Sequence, residues 1–308
     1  MRYSRIWIGL VLVILASCAA LYLIALPSSL PANVLEPRTA DLANGEKMFN
    51  IGGCFSCHGT PKQKDRSQLG GGLALATPFG TFRAPNISSD SQHGIGAWSE
   101  YEFVNAMLKG VGRNGEHLFP AFPYTSYQYM RIDDVRDLYA YLKTLPAIAA
   151  PSRPHEVSFP FNIRAGIGLW KLLYFDGKTF APDDSKDDAY NSGAYLVEGP
   201  GHCVECHSPR DALGGINDER RFAGGLDAEG NGWVPNITPH DDGIAHYSVK
   251  DLIYILETGV KPDFDVVGST MAAVIENTRR LGAADRAAIA SYLKALPPRP
   301  GRAPPRDK

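Results

Sequence analysis

Four of the five cysteines fall in two identical arrangements, Cys54-Phe55-Ser56-Cys57-His58 and Cys203-Val204-Glu205-Cys206-His207. Two thiols separated by two residues on one helical turn can meet the two vinyl groups along one porphyrin edge. A histidine directly after the second thiol then falls beneath the iron and supplies its proximal nitrogen. This spacing is the c-type haem attachment signature. Cys54, Cys57, Cys203 and Cys206 are therefore read as covalent haem sites, His58 and His207 as axial ligands, and two haem c groups as the cofactors. Cys-x-x-Cys pairs also hold zinc, and the four thiols could in principle form one tetrahedral site. Zinc gives no reason for a histidine after each pair.

The sixth iron ligand decides what such a haem can do. The methionines are Met1, Met48, Met107, Met130 and Met271. Met107 lies on the apolar face of an expected helix and reads as core, and Met48 reads as packing beside the porphyrin. Met130 follows an irregular aromatic stretch, 119–129, and stands 72 residues after His58. Met271 stands 64 residues after His207 in a Gly-Ser-Thr loop and is the only methionine of the second half. Met130 and Met271 are thus the expected sixth ligands. An iron held by His and Met is closed to substrates and raised in potential, which favours outer-sphere electron transfer over peroxide or oxygen chemistry. His93, His117, His240 and His246 are available for the opposite case, a haem with a second, displaceable histidine. Arg83, Trp98 and Arg113 are candidates to hydrogen-bond haem propionates. The sequence carries no pterin, flavin or nucleotide motif and no nucleophile–base constellation, so no catalytic residue is assigned.

The elements that must carry these residues repeat. Gly45-Glu46-Lys47-Met48-Phe49 answers Gly193-Ala194-Tyr195-Leu196-Val197, and Pro85-Asn86-Ile87-Ser88 answers Pro235-Asn236-Ile237-Thr238 at an offset of 150 residues. Gly94 to Ser99 answers Gly243 to Ser248, and Tyr141-Leu142-Lys143-Thr144-Leu145-Pro146 answers Tyr292-Leu293-Lys294-Ala295-Leu296-Pro297. A repeat this long means duplicated domains, since solenoid periods are shorter. Apolar residues recur at helical spacing over 133–145 and 285–296, each run stopped by a proline. Middle helices are expected over 100–109 and 251–258, each followed by glycine. No stretch alternates as strands do between hairpin turns. The expected fold is all-α, with two tandem class I cytochrome c-like domains at 41–147 and 189–300. Between them, 148–188 reads as a linker in which Ile163, Ile167, Trp170 and Tyr174 share one face of a helix packed on one or both domains.

Ile6 to Leu26 is a run of 21 uncharged residues behind Arg2 and Arg5. At helical rise it spans roughly 30 Å, the thickness of a bilayer core. The preceding charge gives an N-in, C-out orientation. Residues 1–30 are therefore read as a bacterial inner-membrane anchor with the haem domains in the periplasm. A cleaved secretory signal is the rival, although its apolar stretch is usually shorter. Leu15-Ala16-Ser17-Cys18 also resembles a lipoprotein box, against which the chain stays apolar from Ala19 to Leu26. All three readings export the body of the protein. At 308 residues there is room for about two domains. A net charge of −2 gives no argument for nucleic acid.

Together these features resemble the cytochrome c subunit of bacterial membrane-bound alcohol, gluconate and related dehydrogenases. The resemblance rests on both haem motifs, on Pro235-Asn236-Ile237-Thr238-Pro239 with Gly243-Ile244, and on the stretch Phe159 to Arg164 leading to Trp170. It covers about residues 41–300. It implies an electron-transfer subunit, not a catalyst, that accepts electrons from a partner dehydrogenase and passes them to quinone, an oxidase or another cytochrome. Such subunits often carry three haems where this chain has two motifs, a departure that bears on partner and acceptor. A dihaem peroxidase, a thiosulfate-oxidising cytochrome and a cytochrome subunit of a terminal oxidase are the alternatives.

Overall fold

The computed structural model describes residues 2–230 and 232–301, with side chains from residue 6 onward, so the side chains of Arg2 and Arg5 lie outside the described residues. Helix α1 (Arg2–Ile24) is continuous, and its stretch Ile6–Ile24, 19 residues long, is apolar and uncovered by the rest of the chain. It is long and apolar enough to cross a membrane.

The first half then runs α2 (Leu42–Ile51), α3 (Cys54–His58), β1 (Ala74–Thr77), β2 (Gly80–Arg83), α4 (Glu100–Lys109), α5 (Tyr124–Tyr127) and α6 (Ile132–Thr144). β3 (Glu156–Val157) and α7 (Arg164–Tyr174) follow in the connecting segment. The second half runs α8 (Asp188–Glu198), α9 (Val204–His207), β4 (Gly225–Leu226), β5 (Trp233–Val234), α10 (Val249–Thr258), α11 (Thr270–Thr278) and α12 (Ala283–Ala295).

Local chemistry sets the boundaries of the repeated helices. Asp41 caps α2 by accepting from the Ala43 and Asn44 amides. Ser99 and Glu102 form a reciprocal capping box at the start of α4, as Ser248 and Asp251 do for α10. Both helices end on a glycine in the left-handed region, Gly110 and Gly259. The first and last helices of each half cross at a glycine because nothing larger fits. A Cβ at Gly45 would meet the Asp137 carbonyl oxygen of α6 at 2.2 Å, and one at Gly193 would meet the Ala288 carbonyl oxygen of α12 at 2.1 Å. One apolar core runs through both halves, from Met48, Phe49 and Leu138 to Tyr195, Ile289 and Leu293.

Three expectations are revised. The protein is helix-rich, yet short strands are present: β1, β2 and β3 form one antiparallel sheet, and β4 pairs with β5. Two to four residues are too few for alternation to stand out from loop sequence. The aromatic stretch before Met130 contains a helical turn, α5, and Met271 lies in the first turn of α11, not in a loop. The linker helix α7 does bridge the halves. Its Lys171 Nζ donates to the Lys109 and Gly110 carbonyls, while Trp170 Nε1 donates to Leu213 O and Tyr174 Oη to Asp211. Ile167 is buried and Ile163 is exposed, so the four residues expected on one face do not share an environment.

Candidate haem-binding sites

Each Cys-x-x-Cys-His motif forms a short helical turn beyond α2 or α8. The turn is entered through a left-handed residue, Gly53 at φ 59° and His202 at φ 38°. Such an entry reverses the chain tightly enough to bring both thiols and the histidine onto one turn. No disulfide joins the four cysteines, and Cys54 and Cys203 are half-buried while Cys57 and Cys206 are exposed. Burial pushes the Cys54 thiol up to about 12, helped by Cys57. Burial does the same for Cys203, helped by Glu198 and Cys206. Among the described residues no three His, Cys, Asp or Glu side chains gather as a metal site.

The histidines are oriented identically. His58 Nδ1 lies 2.8 Å from Pro85 O, and His207 Nδ1 lies 2.8 Å from Pro235 O. A carbonyl can only accept, so Nδ1 carries the proton and Nε2 keeps its lone pair for a metal. Burial lowers the pKa of both rings against that hydrogen bond, which holds them neutral, the ligating form. The prolyl carbonyls are fixed in turn. Gly71 N donates to His58 O and Gly224 N to His207 O, both glycines in the left-handed region. A Cβ on Gly71 would come 2.5 Å from Pro85 C. Asn86, buried next to Pro85, donates to the Ile148 and Ala150 carbonyls, and Asn236 donates to Arg299 O. The Pro-Asn-Ile loop thereby ties the histidine's acceptor to the segment leaving the last helix.

The methionines differ. Met130 is 1% exposed and sits between α5 and α6 in the shared core, whereas Met271 is half-buried. Met48 and Met107 are core residues. The other candidates have partners elsewhere. Arg83 pairs with Glu156 and Arg113 with Glu102, while the backbone carbonyl of Trp98 accepts from Tyr139 and its indole is not engaged by that bond. His117 is buried with Nε2 on Ala25 O, His240 pairs with Asp242, and His246 is exposed. Arg83 also lines a crevice of about 620 Å³ with Pro85, Arg153, His155 and Arg164, whose guanidinium groups suit carboxylates.

The two motifs lie against each other, which sequence reasoning did not reveal. Ser126 and Thr125 of the first half donate to Glu205, a residue between the cysteines of the second motif. Asn277 of the second half donates to Ser56, between the cysteines of the first, and accepts from Arg66. The Tyr127 ring meets His202 edge-on at 5.4 Å, and its hydroxyl reaches Gly52 O. Burial, Glu205 and the Cys57 thiol of the first motif push the Cys206 thiol up. Residues between paired cysteines carry no pattern of their own, so no sequence signal marked Ser56 or Glu205.

A Cys-x-x-Cys-His turn with its imidazole presented by a prolyl carbonyl defines a c-type haem protein. The cytochrome c family model matches residues 42–146. A dihaem c-type cytochrome of Cereibacter sphaeroides is 42% identical over 94% of this chain and 97% of its own length. The fructose dehydrogenase cytochrome subunit of Gluconobacter japonicus is 34% identical over 87% of this chain, which spans 54% of it. The cytochrome c subunit of the quinone-dependent alcohol dehydrogenase of Gluconobacter oxydans is 31% identical over 86% of this chain, which spans 57% of it. The similarity to gluconate dehydrogenase cytochrome subunits implied by the loop motifs holds as well. The chain belongs to the cytochrome c family, and its relatives include a dihaem cytochrome and the cytochrome subunits of dehydrogenases.

Proposed function

We propose that the chain is a membrane-anchored dihaem cytochrome c that moves electrons, in the periplasm, from a partner dehydrogenase toward the respiratory chain. Two tandem class I domains, 41–147 and 189–300, flank the 148–188 linker behind an anchor in residues 1–30. Cys54 and Cys57 hold one haem c covalently and Cys203 and Cys206 the other. His58 with Met130, and His207 with Met271, would supply the remaining iron ligands. Bound haem supplies one-electron exchange at iron. The chain's own residues orient the imidazoles through Pro85 and Pro235 and brace each attachment turn from the other half of the chain.

The observation that carries this reading is that each attachment turn is gripped by the other half of the chain, Glu205 by Ser126 and Thr125, and Ser56 by Asn277. A carrier needs its two centres adjacent, and an enzyme needs one centre open to substrate. The burial of His117 and its bond to Ala25 O also argue against a displaceable histidine there. Relatives named as dehydrogenase cytochrome subunits support a dehydrogenase donor. The acceptor is quinone, an oxidase or another cytochrome.

The test is purification of the native protein in mild detergent, identification of the co-purifying protein, and reduction by that protein's substrate. The expected result is a dehydrogenase whose substrate reduces both haems, with methionine-ligated spectra and no turnover of peroxide. Rapid peroxide turnover, or a low-potential bis-histidine haem, would overturn it.

A further inference from the structure

Helix α7 is amphipathic in an inverted sense. Its buried face holds Ile167, Gly168 and Lys171, whose ammonium group is spent on the Lys109 and Gly110 carbonyls. Its exposed positions are Ala165, Gly166, Leu169, Leu172 and Leu173, with no polar side chain among them. At 100° per residue these five fall within one arc of about 120°. The approach to the helix continues the surface: Phe159 is 78% exposed, and Phe161 and Ile163 are exposed beside it. An apolar patch of this extent on a folded domain marks an interaction surface.

Its place in the fold says what covers it. The carbonyl of Ala25, just past the end of α1, accepts from His117 Nε2 at 2.7 Å, and Gly168 of α7 lies so close that a Cβ would come 2.0 Å from that same oxygen. Leu30 is bonded on both sides, its amide to Asn105 and its carbonyl to Tyr101. The chain is thus pinned to the domain directly where the apolar helix ends. If α1 crosses a bilayer, its last turn lies at the lipid–water boundary, and α7 lies at that same level. Trp170 and Tyr174, rings tilted by 40° with centroids 4.8 Å apart, lie beside the apolar arc and turn their polar atoms to Leu213 and Asp211, which leaves the arc itself without a polar group.

We infer that α7 and the Phe159–Ile163 segment form an interfacial face that lies in the lipid headgroup region, so that the anchored domain rests on the membrane instead of hanging from a tether. This rests on the reading of α1 as a spanning anchor. An interfacial helix of this kind is held by its buried apolar area. It fixes the orientation of the first haem domain relative to the bilayer.

The test uses the full-length holoprotein with Cys18→Ser in phosphatidylcholine vesicles, spin-labelled at Leu172→Cys or Leu173→Cys, with Tyr254→Cys on α10 as the reference. The expected result is that labels at 172 and 173 collide with oxygen and lose access to a water-soluble nickel chelate, while the label at 254 stays open to the chelate. An anchored protein whose 172 and 173 labels read as aqueous overturns the interfacial face alone. Labels shielded from both oxygen and chelate mark a protein-covered face and also overturn it. A mature chain whose mass lacks α1, and which does not float with vesicles, overturns the anchor and the face with it.

Discussion

His58 and His207 each give Nδ1 to a prolyl carbonyl at 2.8 Å, whereas Met130 and Met271 stand at positions the repeat does not equate. The bridges Val111–His117 and Val260–Val266 are offset by 149 residues, and the last helices by 151. At the latter offset α5 and α11 end together, at Tyr127 and Thr278, and Met130 corresponds to Leu281. Met271 falls opposite Pro120–Phe122, where α5 has not yet begun. On the proposed reading the repeat keeps the side of each site that the five-residue motif and its carbonyl dictate. The proposed methionine side differs, because the connection that carries it differs in length between the halves. The two haems of one chain are therefore expected to differ in potential.

The largest effect should come from removing one attachment site. Cys203→Ala/Cys206→Ala is expected to halve the haem content measured as pyridine haemochrome, and Cys54→Ala/Cys57→Ala to do the same. Unchanged haem content in either would remove the basis for two equivalent proximal sides.

Met130→Ala and Met271→Ala probe the side that differs. Each is expected to lower one haem's potential and remove its methionine charge-transfer band. Met130→Ala should also destabilise the protein by about 2–5 kcal/mol, the cost of emptying a packed core position. Met271→Ala should cost less than about 1 kcal/mol, because its side chain is half-buried at a helix start. A full band in Met130→Ala would leave Met130 as packing only.

Lys171 serves the first half alone. It caps the end of α4, while the end of α10 takes the Thr278 hydroxyl on Leu256 O. Burial lowers its pKa from 10.5 to about 8. Between those values the unfolded chain binds the extra proton, so stability should rise with pH, by at most about 3 kcal/mol. Denaturant midpoints in Lys171→Met should show no such rise.

Gly45→Ala and Gly193→Ala should leave both haem sites intact and act on stability alone, each costing at least about 1–3 kcal/mol because the added Cβ would sit within 2.2 Å of a backbone oxygen across the helix crossing. Thermal melts that show equal losses would support equivalent crossings. A marked inequality would mean the halves diverge in their cores as well.

The parts legible in the sequence were those with a local cause. Gly110 and Gly259 announced helix ends, and the paired thiols with their histidines announced the cofactor, while the start of α10 at Val249 came two residues before the expected one. What was not legible depends on surfaces meeting across the chain. Ser56 and Glu205 look like spacers until Asn277 and Ser126 are placed on them. His117 looked like a spare ligand until Ala25 O was placed beside it. The α7 periodicity revealed a helix, yet nothing in its spacing told that Lys171 would face inward and Leu173 outward.

The clasp between the two attachment turns also imposes an order in time. Each turn is closed over by the other half of the chain, through Ser126 and Glu205 on one side and Asn277 and Ser56 on the other. On the proposed reading, thioether bonds at the half-buried Cys54 and Cys203 would be made while the halves are still apart. Maturation would proceed by ligation first and docking second, and a chain that had received only one haem would betray itself at that seam.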